Sequence, residues 1–458
     1  MTALGCFKSY DIRGRLGETL DADIAYRVGR GFAQALRPGA VVTGRDARES
    51  SPVLQQAVND GLRDGGADVI EIGLCGTEEV YFATDHFGAG GGIMVTASHN
   101  PIDYNGMKLV GPGATPLSAD AGLGAVQRAA EAGDWEDVRA RGVLRHEDPR
   151  DAFVARCLSF VRPETWREMK ILVNCGNGAA GPTFDALAAA LSRVGAPVAF
   201  ERMHHVPDSR FPNGIPNPLL PENQPPTAAA VRAAGADFGV AWDGDFDRCF
   251  FFDETGAFVP GEYVVGLLAG AFLAQSPRAR IVHDPRVVLN TQAVIAAARG
   301  EAVVSRTGHA HLKARMREVD AIYGGEMSAH HYFRDFMYCD SGMIPWLLVA
   351  EHISTTAHSL GALVARARAA FPSSGEVNFR LRDTGAALTA FEAAYAPLAK
   401  DVDRLDGLSL RFAGWRANVR LSNTEPVLRL NIEAEGDAAL VAEKLEAISA
   451  LLREAGGG

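Results

Sequence analysis

Thr96-Ala97-Ser98-His99-Asn100-Pro101 puts a hydroxyl between an imidazole and an amide, directly after the apolar run Gly91-Gly92-Ile93-Met94-Val95. Small, polar neighbours suit a hydroxyl that must meet a bulky anion. A capped turn is the plain alternative, since Thr, Ser and Asn bond nearby backbone amides without any catalysis. Taken with the segments below, Ser98 reads as a residue that carries a phosphoryl group and passes it on.

Asp243-Gly244-Asp245-Phe246-Asp247-Arg248 follows the strand-like Phe238–Trp242. In extended backbone, residues i, i+2 and i+4 share a face. Asp243, Asp245 and Asp247 therefore converge, repel one another without a cation, and select a hard ion such as Mg²⁺ by all-oxygen ligation. An EF-hand would use them at its first, third and fifth positions, with Glu254 at the twelfth. That loop needs glycine where Arg248 stands, so it is rejected. The apolar flanks argue against a solvated acidic turn. Arg248 can pair with a phosphoryl oxygen or offset the carboxylates.

Arg420-Leu421-Ser422-Asn423-Thr424-Glu425-Pro426, with Arg429 beyond, is either a polar turn between strands or a phosphate cradle without a Walker glycine pattern. Arginine supplies the planar fork that phosphate oxygens accept. In residues 324–333, Glu326, Ser328 and His330 alternate and can face one ligand, and a carboxylate with a hydroxyl suits vicinal sugar hydroxyls. His309, in Thr307-Gly308-His309-Ala310-His311, offers another imidazole. The histidine spacing gives no support to zinc. Arg13 in Tyr10-Asp11-Ile12-Arg13-Gly14, Lys108 and Arg286 are further basic candidates, each with an alternative as a surface ion pair. Gly44-Arg45-Asp46 reads as a structural turn after a strand at 41–43.

The elements that must hold these loops follow a recurring pattern. Helix-like stretches at 54–64, 184–194 and 292–299 each end at glycine and lead into a β-rich run. That is the signature of an α/β crossover. Three copies imply three α/β domains of related topology. Beyond the break at 371–375 the pattern changes to strands at 376–381, 408–412 and 428–434 with two helices, a smaller α+β domain. The expected division is 1–145, 146–252, 253–370 and 371–458. Residues 204–226, with seven prolines, resist assignment as helix or strand. A loop of that length in a compact domain is functional or wraps a neighbour.

Composition bounds the rest. At 458 residues, 47% hydrophobic and 22% charged, the composition suits a soluble globular enzyme and argues against disorder. Net charge is −11, so an anionic substrate needs locally basic pockets, and nucleic acid is not an expected partner. The six scattered cysteines form no C-x-x-C pair and suit a reducing cytoplasm. No signal-peptide h-region is expected at the N-terminus, and the longest apolar stretch, 263–274, is too short for a bilayer. A monomer or weak dimer is expected, with no membrane partner.

Together, these four motifs resemble the phosphohexomutase family, in family order and over essentially the whole chain. Gly325-Glu326-Met327-Ser328 is similar to the phosphomannomutase and phosphoglucomutase branch. Ala329-His330-His331-Tyr332-Phe333 is similar to bacterial members that supply GDP-mannose. Two positions depart from the family: many members have glycine at Ala329, and Leu421 is larger than the expected small residue. The resemblance implies four domains around a central cleft and interconversion of hexose 1- and 6-phosphates. It makes Ser98 the phosphoserine, with Mg²⁺ on Asp243, Asp245, Asp247 and a phosphoserine oxygen. Arg13, His99, Lys108 and Arg248 would surround the transferred group, His99 or Lys108 being the general base. Tyr10, Arg286, His309, Glu326, Ser328 and His330 would contact substrate. Arg420, Ser422, Asn423, Thr424 and Arg429 would hold the phosphate that is not reacting. A hexose 1,6-bisphosphate would be both intermediate and activator, turning over while the site excludes water. Phosphoglucosamine mutase, an aspartyl-phosphate phosphatase and a sugar-phosphate-binding protein are the competing readings.

Overall fold

The computed structural model describes residues 4–421 and 427–457. Two compact units are present, Met1–Phe258 with His330–Ala357, and Val259–Ala329 with His358–Gly458.

The first unit holds a six-stranded sheet in the order Ile12–Arg15, Tyr104–Val110, Gly92–Val95, Ala40–Arg45, Asp68–Leu74, Leu144–His146. Its centre is parallel, and the two strands flanking the serine loop, Gly92–Val95 and Tyr104–Val110, run antiparallel. Helices Ala22–Leu36 and Ser51–Asp64 cover one face. Asp21 starts the first by accepting from Ile24 N–H. The two helices need glycine where they meet, since a Cβ on Gly29 would lie 2.3 Å from Val58 O and one on Gly61 2.1 Å from Tyr26 O. Val28, Phe32, Val58 and Leu62 fill the space beneath them.

A second sheet of this unit runs Cys249–Asp253, Phe238–Trp242, Met169–Asn174, Val198–Met203. Every residue of its first two strands is buried, which explains their unbroken apolar sequence. The hairpin His331–Phe333 and Cys339–Asp340, and the helix Met343–Thr356, pack in the same unit. Trp242 Nε1 donates to Gly342 O at 2.8 Å.

Helix Thr77–His86 begins with three residues that each reach a different segment. Thr77 Oγ1 donates to Asp245 Oδ2 at 2.6 Å. Glu78 Oε1 accepts from Gly342 and Met343 N–H at 3.1 and 3.0 Å, capping the helix that starts there. Glu79 accepts from Thr183 Oγ1 at 3.1 Å and pairs with Arg150 at 3.3 Å.

In the second unit, parallel strands Glu301–Val304, Arg280–His283 and Tyr323–Gly325 carry helices Gly261–Gln275, Leu289–Ala297 and His309–Val319. An antiparallel sheet follows, ordered Ser373–Phe379, Leu428–Ala434, Trp415–Leu421, Leu408–Arg411, Asp401–Asp403. Helices Thr384–Tyr395 and Ala438–Gly456 bury Phe391, Ile448 and Leu452 against it.

The three expected crossovers are present as Ser51–Asp64, Ala180–Arg193 and Leu289–Ala297, each with a strand behind it. The glycine caps differ in detail. Gly66 and Gly195 take the left-handed backbone, but in the third copy Arg299 takes it at φ 59°. Gly300 is needed there for space, as its Cβ would lie 2.7 Å from Leu273 Cδ2. The expected division after residue 145 falls inside strand Leu144–His146, and that after 252 inside Cys249–Asp253. The first of these is a short edge strand with two of its three residues exposed, so it leaves no apolar signature. Residues 204–220 are indeed without helix or strand. The helix Gln224–Ala234 then starts on Pro225 and Pro226, where proline's missing N–H costs nothing.

Candidate active site

The serine loop is a tight turn between antiparallel strands. Asn100 N–H donates to Ala97 O at 2.9 Å, and Ser98 N–H to Thr96 Oγ1 at 2.8 Å. Ser98 sits at φ 49°, a conformation that costs a non-glycine residue ~1–2 kcal/mol. Its side chain is buried. Oγ donates to Asp243 Oδ2 at 2.7 Å and lies 3.0 Å from His99 Nδ1. Burial, with Arg248 and Arg13 nearby, pushes the His99 pKa well below the usual imidazole range. The ring is thus neutral beside a hydroxyl whose own proton is engaged by Asp243. Arg13 reaches the same turn, pairing with Asp11 at 2.8 Å and donating to the side chain of Asn100. Tyr10 is half-buried just before this strand.

The aspartate loop packs directly on that turn. A Cβ on Gly244 would fall 2.5 Å from Ser98 O. Phe246, at φ 45° and fully buried, inserts its ring against Gly76, where any Cβ would collide with it. These contacts aim Asp243, Asp245 and Asp247 inward, with one carboxylate oxygen from each within 4.8 Å of the others. Oδ1 of each is buried with no hydrogen-bond partner among the described residues. Buried, unsatisfied carboxylate oxygens are costly, and a hard cation satisfies all three together. The acidic triad is thus able to hold a metal.

Cations surround it on the protein side. Lys108 Nζ contacts Asp245 Oδ2 at 2.7 Å and also bonds Asp247 Oδ2. Burial alone would lower its pKa, but Asp245 and Asp247 more than offset that and hold it protonated. Burial and Asp247 push Asp243 above the usual carboxylate range. Asp247 is held well below it, against its own burial, by Lys108 and His330. Arg248 lies 3.5 Å from Asp243 and donates from Nε to His330 Nε2 at 3.2 Å. The first unit therefore gathers Ser98, His99, Arg13, Lys108, the three aspartates, Arg248 and His330.

The second unit gathers another set. Glu326 is buried and accepts from Gly308 N–H at 2.8 Å, next to His309. Arg286 pairs with Asp284 and lies 3.7 Å from Glu326. Met327 N–H donates to Asp284 at 3.1 Å, fixing the strand end that presents Ser328, which is half-buried. Arg420 and Arg429 stand directly opposite each other on adjacent strands. Such a like-charge pair is unfavourable unless compensated. Glu376 compensates it, taking Arg420 Nη2 at 2.8 Å, Arg429 Nη1 at 2.9 Å and Arg286 Nη1 at 3.4 Å. Burial would raise the Glu376 pKa, and the three arginines depress it. Ser422, Asn423 and Thr424 lie outside the described residues.

Both departures from the family pattern have a local account. Ala329 occupies φ 67°, the left-handed region that glycine enters without cost. Leu421 is 45% exposed and keeps register opposite Leu428, so its bulk does not crowd Arg420. Arg48, Thr77 and Glu376 are contributors that sequence reasoning missed. Asp46, in the structural segment Gly44-Arg45-Asp46, accepts from Ala97 N–H and pairs with Arg48, both part of the serine loop's support.

Four successive family profiles match the chain. They are phosphoglucomutase/phosphomannomutase alpha/beta/alpha domain I over residues 5–135, domain II over 151–256, domain III over 260–371 and the C-terminal domain over 376–451. The chain belongs to the phosphoglucomutase/phosphomannomutase family. A phosphomannomutase of Salmonella typhimurium is 57% identical over 456 residues, covering 99% of this chain and 100% of the relative. A protein of Xanthomonas campestris named "phosphohexose mutases" is 52% identical over 450 residues, covering 98% and 99%. The crystal structure of a phosphoglucomutase/phosphomannomutase family protein from Burkholderia thailandensis superposes with a TM-score of 0.88 at 32% identity, covering 99% of this chain and 98% of the other.

Proposed function

We propose that this chain is a phosphomannomutase that also acts on glucose phosphates, interconverting hexose 1- and 6-phosphates through phosphorylated Ser98. The observation that carries this is the Ser98 hydroxyl bonded to Asp243 inside a buried aspartate triad, in a chain 57% identical to a phosphomannomutase. Mg²⁺ fits the three unsatisfied carboxylate oxygens, and with a phosphoserine oxygen Asp243, Asp245 and Asp247 would hold it. When bound it supplies neutralisation of charge on the phosphoryl oxygens.

The free sugar hydroxyl attacks phosphorus, the P–O bond to Ser98 breaks, and a new P–O bond makes the hexose 1,6-bisphosphate. The sugar proton must leave as that bond forms, and His99 sits beside the serine oxygen to receive or relay it. Lys108, held charged, serves as a neutralising cation rather than as the base. Arg13 and Arg248 add positive charge around the transferred group. The sugar proton ends on the departing Ser98 oxygen; in the return step the other phosphate moves back to this oxygen, and its proton passes to the sugar oxygen left behind. In the second unit, Glu326, Ser328, Arg286 and His309 would bind sugar hydroxyls and phosphate. Arg420 and Arg429, with residues 422–424, would hold the distal phosphate, and Glu376 tunes their charge. Tyr10 and His330 would complete the substrate contacts.

A hexose 1,6-bisphosphate activator primes unphosphorylated enzyme. A cytoplasmic monomer or weak dimer is proposed; all six cysteines are buried, and no helix among the described residues is long and apolar enough to cross a membrane. The test is a panel of mannose, glucose and glucosamine phosphates with Mg²⁺ and bisphosphate primer. The highest kcat/KM is expected on mannose phosphates, glucose next, and Ser98→Ala should abolish turnover and the phosphoryl mass together. A preference for glucosamine phosphate, or near-full activity in Ser98→Ala, overturns the proposal.

A further inference from the structure

The guanidinium of Arg48 is 2% exposed and makes an unusual set of bonds. Nη2 donates to Ser98 O at 3.0 Å and Asn100 O at 2.5 Å. Nη1 donates to Pro101 O at 2.8 Å and Tyr104 O at 3.1 Å. Its four carbonyl partners all lie in the seven residues that begin with the phosphoryl-carrying serine. The carboxylate partner, Asp46, stands behind at 3.5 Å. Asp46 is itself fixed by Ser51 Oγ at 2.5 Å and Arg48 N–H at 3.0 Å, and its other oxygen takes Ala97 N–H at 3.4 Å. Buried arginines ordinarily aim the fork at a carboxylate. Here the fork is spent on backbone.

The turn needs such a brace. Ser98 is held in the left-handed region, which a serine does not keep unless its surroundings over-determine it. Carbonyls that all point one way supply the hold when a fixed, planar, multidentate donor collects them, and a lysine's point charge cannot reach four. Arg48 is in turn covered by Phe211, whose ring centre is 5.8 Å from its guanidinium and which is 5% exposed. Phe211 belongs to the proline-rich segment that neither helix nor strand accounts for. That segment is anchored on Asn177, which accepts from Asp208 N–H at 2.9 Å and from Asn213 Nδ2 at 2.8 Å and donates to Val206 O at 2.8 Å. Two residues on, Ala179 N–H donates to Gly244 O at 3.0 Å in the aspartate loop. One scaffold thus reaches both the serine carbonyl, through Phe211 and Arg48, and the aspartate loop, through Ala179 two residues after Asn177.

We propose that Arg48 is the positioning residue that sets the Ser98 turn, and that the proline-rich segment around Phe211 holds it against the aspartate loop. Arg48 touches no reacting atom. Its effect is to fix where the phosphoserine points, and it rests on the reading of Ser98 as carrier.

The test compares wild type with Arg48→Lys and Phe211→Leu by melting temperature, by kcat and KM on mannose 1-phosphate, and by intact mass of phospho-Ser98 followed over hours in buffer. Arg48→Lys is expected to keep KM within about twofold while kcat falls on the order of 100-fold, the scale of a misplacement near 1 Å. Its phosphoserine should also hydrolyse faster than wild type, a readout that loss of stability alone does not move in the folded fraction. Unchanged kcat and phosphoserine lifetime in Arg48→Lys overturn the proposal. Should that variant not fold, Phe211→Leu decides: a kcat loss at near-native melting temperature supports it, and wild-type kcat and lifetime refute it. Absence of phosphate on Ser98 in active wild-type enzyme would overturn the carrier reading itself, which the same mass measurement reveals first.

Discussion

Gly244→Ala is the sharpest probe of how the serine and aspartate loops depend on each other. The added Cβ would lie 2.5 Å from Ser98 O and 3.3 Å from Ser98 C. Ordinary contact begins at 3.4 Å, so about 0.9 Å of separation is required. Both atoms are backbone, and no rotamer change relieves them. The aspartate loop cannot retreat freely, because Gly244 O takes Ala179 N–H at 3.0 Å and a Cβ on Gly178 would already meet that oxygen at 2.8 Å. The shift therefore falls on the serine turn and stretches the 2.7 Å bond from Ser98 Oγ to Asp243 beyond hydrogen-bond range. A misplacement near 1 Å costs roughly 100-fold in rate, equivalent to ~2.7 kcal/mol of barrier. Overpacking costs ~1–3 kcal/mol of stability as well. Steady-state kinetics on mannose 1-phosphate at saturating Mg²⁺, with a thermal melt, measure both. KM should hold, since the proposed sugar contacts are on other loops. A kcat within threefold of wild type would refute the reasoning that the loops are in rigid contact.

Thr77→Val removes the hydroxyl that bonds Asp245 while keeping shape, and should weaken Mg²⁺ binding ~10–100-fold; a calorimetric Kd unchanged within twofold rejects that role. Arg420→Ala should raise KM for hexose phosphates by ~10-fold or more, since hydrogen bonds to charged groups are worth ~1.5–3 kcal/mol, with kcat little altered; a KM within twofold of wild type counts against the cradle. Burial lifts the Glu262 carboxyl from 4.5 to about 7, and its Oε2 has no hydrogen-bond partner among the described residues. The folded state then holds a proton that the unfolded chain has released, so stability is full below pH 4.5 and falls as pH rises to about 7, by about 3 kcal/mol at most. Glu262→Gln should remove that slope in denaturant melts taken from pH 4.5 to 8, and a parallel slope in both proteins sinks the assignment.

The serine turn and the aspartate triad were legible because each announces itself locally. One is a polar loop after an apolar strand, and the other a period-two alternation of carboxylates between buried strands. The crossovers were legible for the same reason, as helix-period runs closed near glycine. Arg48 was not, because its partners are backbone carbonyls, which no side-chain pattern encodes. Thr77 lies 168 positions from Asp245, and nothing around it marks a partner so distant. Glu376 stands in the middle of the strand Ser373–Phe379, which has no apolar or polar rhythm, and only the cross-strand facing of Arg420 and Arg429 explains why a carboxylate stands there. The edge strand Leu144–His146 was hidden by its exposure. Local spacing thus marks the residues proposed to touch substrate, and the ones that hold those residues still become visible only through the fold.

The three consecutive residues Thr77, Glu78 and Glu79 also set a clock on biosynthesis. Glu78 caps a helix whose first amide is 265 positions later in the chain. At ~5–20 residues per second, that partner leaves the ribosome roughly ten to fifty seconds after Glu78 does. Until then a carboxylate destined for complete burial stays hydrated at the start of its helix. The surface that receives the helix Met343–Thr356 is therefore completed late, after an interval set by the length of the intervening sequence.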